Sequence, residues 1–490
     1  MLLLAVFTNA VNAEDYVERD SIIYDFYELN ADKDTVWYKV ISEEDKTCEV
    51  TYSKGIYEEY SVEVEDSLYI FSYLSPDYRD TLRYVGTINI PSSATNSDNG
   101  ETYKVVGIGE NAFLNCNLLK EVTLPNTIEY VDSFAFLYSS LESIILPEGI
   151  DSIFYWAFSY TNLKTFNIPA SLSFLDFEGI LNGSDSLTNI TVDPSNKFFS
   201  DNGEGVLYNY DKTRLLAYPA NKEGKTYKVA ETCDVLAKSS FEGAKNLKKV
   251  YLNEGLDTLE AWTFLGCSSL DSVNIPSTVR YIPNGSVFME NTSLATLEVD
   301  KENLYYVSKD NVIFNHDMTT LVVYAIGNER TSYSIPSTVK KIDYESFMLY
   351  QHLKKIEIPA SVDTIVYASF ICDDAVCWLD TIVCKSNDPA AVEYSETFES
   401  LGENRSVCYD NTVVVVPDGT KEIYESAEVW KLFKNIVEES KVTGINEINA
   451  DNTPASATTD DRIYDLQGRR LDITPENGVY IRGGKKYLGS

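Results

Sequence analysis

One seven-residue phrase of apolar and polar positions recurs along most of the chain. It reads LKEVTLP at 119–125, LESIILP at 141–147, LKTFNIP at 163–169 and LTNITVD at 187–193. It returns as LKKVYLN at 247–253, LDSVNIP at 270–276, LATLEVD at 294–300 and LKKIEIP at 353–359, with a degenerate copy LDTIVCK at 379–385. A Leu opens each phrase, an apolar residue stands three places on, and in most copies another follows two further. The positions between them are mostly polar. This alternation predicts a short strand with one face buried and the other open. The Pro or Asp that commonly closes the phrase ends the strand, because it interrupts a hydrogen-bonded ladder.

A second signal keeps time with the first. Phe113, Phe136 and Phe158 are 23 and 22 residues apart; Phe241, Phe264 and Phe288 are 23 and 24 apart; Phe347 and Phe370 are 23 apart. Most follow an Ala or a Ser. A short apolar pair lies between each phrase and the next Phe, as in IEYV (128–131), IDSI (150–153), LDTL (256–259), VRYI (279–282) and VKKI (339–342). A period near 23 predicts a stacked solenoid, in which one coil cannot bury its apolar side alone and neighbouring coils share a core. The expected fold is mainly β: a right-handed leucine-rich-repeat solenoid with two β-hairpin insertions, a β N-terminal cap and a C-terminal capping helix. Cys116 and Cys267 occupy equivalent places in the repeat, so they read as small core or turn residues rather than reactive thiols.

The rhythm breaks twice. Leu187 to Leu247 is 60 residues and Leu294 to Leu353 is 59. The gaps hold GVLYNYDKTRLLAYPA (205–220) and NVIFNHDMTTLVVYAI (311–326), each a strand, an Asn-x-Asp turn and a return strand, hence a β-hairpin. His316 falls in the second turn and His352 just before Leu353; both read as turn residues. They are the only two His in the chain, which leaves little for His-based catalysis or metal binding.

The remaining segments frame the array. Residues 1–13, MLLLAVFTNAVNA, resemble a secretory signal whose basic start is missing. Residues 14–104 are Tyr-rich and strand-like and form the cap; 105–385 are the solenoid. Residues 386–441 close it with the strand VVVVPDG (413–419) and a helix over 421–440, where Ile423, Ala427, Trp430, Phe433 and Val437 have helical spacing. Residues 442–461 are a polar linker, and 462–490 a separate tail with two short strands. Asn30 to Asp34 faintly resembles a Ca²⁺ loop but lacks its Gly and terminal Glu, so no metal and no cofactor is expected.

Composition narrows the function. Lys plus Arg number 40 against 76 Asp plus Glu, a net charge of −36. Such a surface repels nucleic-acid phosphates and anionic lipid heads, and no stretch is long and apolar enough to span a membrane. Among so many carboxylates some pair always lies at a hydrolase-like distance, so acidity alone does not argue for an enzyme. The eight Cys are expected mostly as buried thiols, with Cys372–Cys377 or Cys384–Cys408 as possible disulfides.

The repeat phrase, the Ala-Phe dipeptides and GVLYNYDKTRLLAYPA together resemble the BspA-like leucine-rich repeat family of bacterial surface proteins, over roughly residues 85–440. That resemblance implies a β-rich solenoid without a catalytic motif, and some members are adhesins. The tail pieces IYDLQGRRL (463–471), GVYI (478–481) and GGKK (483–486) resemble a type IX secretion sorting signal, which implies a secreted or outer-surface protein that meets the secretion machinery. Asp followed by Ser or Thr and an aliphatic residue, as at Asp151, Asp257, Asp271 and Asp363, resembles an O-glycosylation acceptor of such bacteria. The expected function is adhesin-like recognition of a host extracellular matrix protein, another cell-surface protein or a glycan. Its face would be two outward columns of the strand ladder. One column is Glu121, Ser143, Thr165, Asn189, Lys249, Ser272, Thr296 and Lys355; the other is Thr123, Ile145, Asn167, Thr191, Tyr251, Asn274, Glu298 and Glu357. The strongest candidates are Thr123, Ile145, Asn167, Thr191, Lys249, Tyr251, Asn274, Glu298, Lys355 and Glu357. The alternative is a structural spacer with no ligand of its own.

Overall fold

The computed structural model describes residues 19–64, 67–76, 84–176, 179–372, 379–401 and 405–442, and four short strands of the tail. The expected leader at 1–13 and the linker beyond 442 lie outside the described residues.

The chain is a solenoid of about 14 coils spaced about 23 residues apart. Each coil has three walls. The first is the expected strand, paired in parallel with its neighbours: Glu121–Thr123 with Ser143–Ile145, Thr165–Ile168 with Asn189–Val192, Ser272–Ile275 with Thr296–Val299, and Lys355–Ile358 with Thr381–Cys384. The second is a two-residue strand at the short apolar pair, as in Tyr130–Val131, Ser152–Ile153 and Phe174–Leu175, again parallel. The third is the turn that carries the Phe. Leu119, Val122, Val131 and Phe136 all point inward and are buried.

The turn wall has its own ladder. The N–H of Phe113 donates to Ala135 O at 2.7 Å, that of Phe136 to Ala157 O at 2.8 Å, and that of Phe241 to Thr263 O at 2.8 Å. Residues on either side of Ala-Phe adopt left-handed backbone: Asn111 and Asn115, Phe134 and Tyr138, Trp156 and Tyr160. For bulky residues this costs on the order of 1–3 kcal/mol each, so the surrounding bonds must hold it. Alternate N–H groups reach the next coil (Asn111 to Ser133, Asn115 to Leu137) while those between turn back on their own coil. The turn therefore leaves few orphan backbone groups despite having no regular secondary structure.

The Phe rings stack along the core axis. Phe113 and Phe136 are 4.9 Å apart and nearly parallel, and Phe136 and Phe158 are 5.1 Å apart. A second stack runs Tyr218, Phe241, Phe264, Phe288 and a third Tyr324, Phe347, Phe370, Phe398. Tyr218 and Tyr324 come from the two hairpins. Each hairpin is antiparallel (Leu207–Asn209 with Arg214–Ala217, Val312–Asn315 with Thr320–Tyr324), and its return strand then pairs in parallel with the next coil. A hairpin thus belongs to an enlarged coil whose Tyr takes the place of the Phe. Each gap also holds one ordinary coil, with strands Thr226–Lys228 and Ser332–Ser334. Buried Asn196 and Asn303, at matching places, each brace a hairpin with two bonds to carbonyls of the preceding coil at 2.8–2.9 Å.

The ends differ from expectation in detail. The first rung, Val85–Asn89, pairs with Leu118–Thr123, so the ladder starts within the segment read as cap. Thr47–Thr51 joins Thr102–Ile108 in parallel and fuses cap and second wall into one sheet. The Asn30–Asp34 loop seals the first rung: Asn30 Nδ2 donates to Asn89 O at 3.1 Å, and Asn89 Nδ2 to Asp32 Oδ2 at 2.6 Å. At the far end the single helix expected over 421–440 does not form. Only Lys421–Ser426 is α-helical, Val429 has φ +66°, and Asn435–Glu438 is a further parallel rung against Val413–Val416. Trp430 and Phe433 pack at 5.8 and 5.3 Å from Phe398 and close the third stack. The tail strands Ile463–Tyr464, Arg470–Leu471, Gly478–Arg482 and Lys485–Gly489 form one antiparallel sheet.

Cys48, Cys233, Cys267 and Cys384 are buried thiols. Cys408 is disulfide-bonded, whereas Cys384 takes no part in a disulfide. The expected pair Cys384–Cys408 is therefore not formed, the expected pair Cys372–Cys377 involves Cys377, which lies outside the described residues, and Cys372 Sγ approaches Cys408 Sγ to 3.2 Å. Burial pushes the Cys267 thiol well up, which keeps it protonated and unreactive. Cys116, its repeat equivalent, is likewise fully buried.

Phe136→Ala removes the middle ring of the first stack and should cost about 3–5 kcal/mol. Urea unfolding checks this, and a loss below about 1 kcal/mol would contradict the stacking account.

Candidate ligand-binding face

The outward columns of the first wall arise from strand alternation alone. Pairing places Glu121 beside Ser143 and Thr123 beside Ile145; Thr165 beside Asn189 and Asn167 beside Thr191; Lys249 beside Ser272; Ser272 beside Thr296 and Asn274 beside Glu298. Lys355 and Glu357 sit on a later rung, next to Thr381 and Val383. Of the ten strongest candidates, Lys249 and Glu357 are half-buried and the other eight exposed. Ile145 at 78% and Tyr251 at 48% are the apolar surfaces among them.

Four candidates share one cleft. Lys249, Tyr251, Asn274 and Glu298 line a depression of about 340 Å³, together with Glu254 and Asp300. Lys249 Nζ lies 5.1 Å from the centre of the Tyr251 ring, a cation–π contact that fixes the ring against the sheet. Thr123, Ile145, Asn167 and Thr191 lie on earlier rungs, with Thr191 Oγ1 hydrogen-bonded to Asn167 Oδ1. From the Thr123 rung to the Glu357 rung the face extends roughly 40 Å at ordinary strand spacing. The ten residues therefore form an elongated surface with one depression.

The columns also contain Thr226, Lys228, Ser332 and Ser334, which the sequence phrase did not reveal. Gly224 and Arg330 stand where their coils should have the opening Leu. Tyr227 and Tyr333 fill the core instead, each about 5–6 Å from the Tyr of the preceding hairpin. The SYSIP run (332–336), with its Ile-Pro ending, was the available signal.

Charge on the coils is locally paired. Glu142 lies 2.8 Å from Lys120 and 2.9 Å from Lys164, and hydrogen bonds from the two ammonium groups pull its carboxyl down to about 2. Burial pushes Glu242 and Glu345 up to about 7. They stand on different coils, separated by those of Phe264 and Phe288, and so do not form a carboxylate pair. His316 and His352 are exposed turn residues. Ser152, Thr258, Ser272 and Thr364 each donate to the carboxylate of the preceding Asp at 2.6–2.9 Å. Among the described residues no cluster of His, Cys, Asp and Glu is arranged to hold a metal ion, and no helix is long and apolar enough to cross a membrane.

Glu142 supports a pH prediction. Its folded pKa is depressed below the ordinary carboxylate value near 4.3. Its contribution to stability is therefore complete above about pH 5 and is lost as pH falls toward 2. Glu142→Gln should lower the unfolding midpoint at pH 7, with most of that difference gone by pH 2. An equal difference at both pH values would contradict the pairing.

Solved structures with similar chains are repeat proteins. A leucine-rich repeat protein from Eubacterium ventriosum is 22% identical, with 71% of this chain and 91% of that one covered and a TM-score of 0.46. A leucine rich cell surface protein from Faecalibacterium prausnitzii is 18% identical, covering 88% and 100%, TM-score 0.39. A leucine-rich repeat protein from Bacteroides ovatus is 17% identical, covering 71% and 93%, TM-score 0.32. No curated protein sequence matches the chain. The model of the BspA type leucine rich repeat region matches residues 87–203, 220–325 and 305–387 in six copies. With more than half of its length so matched, and with the strand phrase and stacked Phe turns seen above, this chain belongs to the BspA-type leucine-rich repeat family.

Proposed function

We propose that the protein is a secreted or cell-surface binding protein of adhesin type, whose outward strand ladder engages an extended partner. The observation that carries this is the cleft of Lys249, Tyr251, Asn274 and Glu298, set into a long polar sheet face. Parallel pairing holds these side chains at fixed intervals, so a partner meets a preorganised row at little entropic cost. Tyr251 offers a half-exposed ring already anchored by Lys249, the kind of residue that dominates binding energy at interfaces. Excess carboxylates, with Glu254, Glu298 and Asp300 at the cleft, favour a partner surface that carries basic groups. A host matrix protein, another cell-surface protein or an amine-bearing glycan meets that description. The tail sheet fits export by the type IX route, in which the secretion machinery reads it.

The test uses purified protein against immobilised matrix proteins and a glycan array, with the double variant Tyr251→Ala plus Glu298→Ala in parallel. Saturable binding that weakens at least about tenfold in the variant supports the reading. Binding unchanged in the variant moves the site off the ladder. No binding to any member of either panel favours a spacer that carries no ligand.

A further inference from the structure

The second wall carries a site of a different kind. A cleft of about 570 Å³ opens across the first hairpin and the coils on either side of it, bordered by Asp176, Arg214, Lys238, Glu260, Tyr281 and Pro283. Its size falls in the range of small-ligand pockets. Arg214 comes from the return strand of the hairpin, and its row continues through Val235 and Thr258 to Tyr281, one residue per coil. From Arg214 to Tyr281 is therefore roughly 14 Å at strand spacing. Glu260 projects between them, one position past the strand Thr258–Leu259.

The polar floor is fixed before any ligand arrives. Arg214 Nη2 donates to both oxygens of Glu260, at 2.7 and 2.6 Å, and the Lys238 backbone N–H donates to Glu260 Oε2 at 2.9 Å. Both side chains of the pair keep just under a third of their surface. A carboxylate has about four acceptor sites and a guanidinium five donors, so the pair retains both an acceptor and donors for a further group. Tyr281, 53% exposed, stands at the end of the row as a flat apolar wall beside Pro283.

Charge decides the ligand class. Two cations, Arg214 and Lys238, and two carboxylates, Asp176 and Glu260, border the cleft, with the Lys238 ammonium held 4.9 Å from the centre of the Trp262 ring, so the lining sums to zero charge on a chain of net charge −36. An anionic ligand would be repelled by the field of the whole chain. A cationic one would compete with Arg214 for Glu260 and leave the half-buried guanidinium without its counter-charge. A neutral polyhydroxyl ring avoids both costs. One hydroxyl accepts from Arg214 while its neighbour donates to Glu260, and the apolar face of the ring lies on Tyr281. We propose that this cleft on the second wall binds a neutral pyranose sugar, as a short oligosaccharide end, through the Arg214–Glu260 pair and the ring of Tyr281. The site is separate from the strand-ladder face and stands whether or not that face binds a partner.

The experiment is a ligand-detected NMR titration of the full chain with the methyl glycosides of glucose, galactose, mannose and N-acetylglucosamine. N-acetylneuraminic acid and glucosamine serve as the anionic and cationic sugars. The proposal expects saturable binding of at least one neutral glycoside. Tyr281→Ala should weaken it about tenfold, and Glu260→Gln should weaken it too, while Tyr251→Ala on the other wall should leave it unchanged. Tyr281 is exposed, so its loss leaves the fold intact even where Glu260→Gln disturbs the floor. Absence of binding by all four neutral glycosides, binding of the charged sugars alone, or binding unaffected by Tyr281→Ala would overturn it.

Discussion

The structure rests on keeping successive coils in register at the turn wall. Short strands of two to four residues contribute few hydrogen bonds each and would slip if left alone. What fixes them is the pairing of a ring stack with a backbone ladder. Phe113, Phe136 and Phe158 sit face to face in the core, and the same residues donate their N–H groups to the next coil. One residue per coil thereby sets both the spacing of the rings and the height of the backbone. The left-handed conformations at Phe134, Tyr138, Trp156 and Tyr160 are a consequence. They aim alternate N–H groups along the solenoid axis, and the ladder compensates their strain.

The departures from the plain repeat obey the same constraint. A hairpin enlarges a coil without breaking the stack, because Tyr218 and Tyr324 enter at the Phe position and donate to Ser240 and Ser346 of the following coil. The last stack cannot end on a bare ring, and Trp430 with Phe433 covers Phe398. At the other end Tyr84 lies 4.6 Å from Phe113 and begins the first stack, while the Asn30 loop closes the first strand. Walls held so rigidly present their outer side chains at fixed intervals, which is what makes both clefts preorganised.

Much of this was legible in the sequence because a half-buried strand writes itself as alternation and a coil as a period. The columns through Glu121 and Thr123 follow from those two rules. The coils at Thr226 and Ser332 were hidden because Tyr227 and Tyr333 supply core volume in place of the missing Leu. The terminal helix was misread for a related reason. Ile423, Trp430 and Phe433 have helical spacing, yet Trp430 and Phe433 are required on the ring stack and Ile436 on the last rung, so packing overrode local periodicity. Sites are harder to read than folds. Lys249 and Glu298 belong to different coils, and Arg214 meets Glu260 across 46 residues; only the stacking distance of the coils brings them together.

The claim that the turn ladder and ring stack carry the register is tested most directly by native-state amide hydrogen exchange. The N–H groups of Phe113, Phe136, Phe241 and Phe347 lie in segments with no helix or strand, yet each donates across to the next coil at 2.7–2.9 Å. The account predicts that they exchange as slowly as the amides of the paired strands, by global rather than local opening. Exchange as fast as that of the exposed hairpin-turn residues Asp211 and Asp317 would show that the strands hold the coils by themselves, and would contradict it.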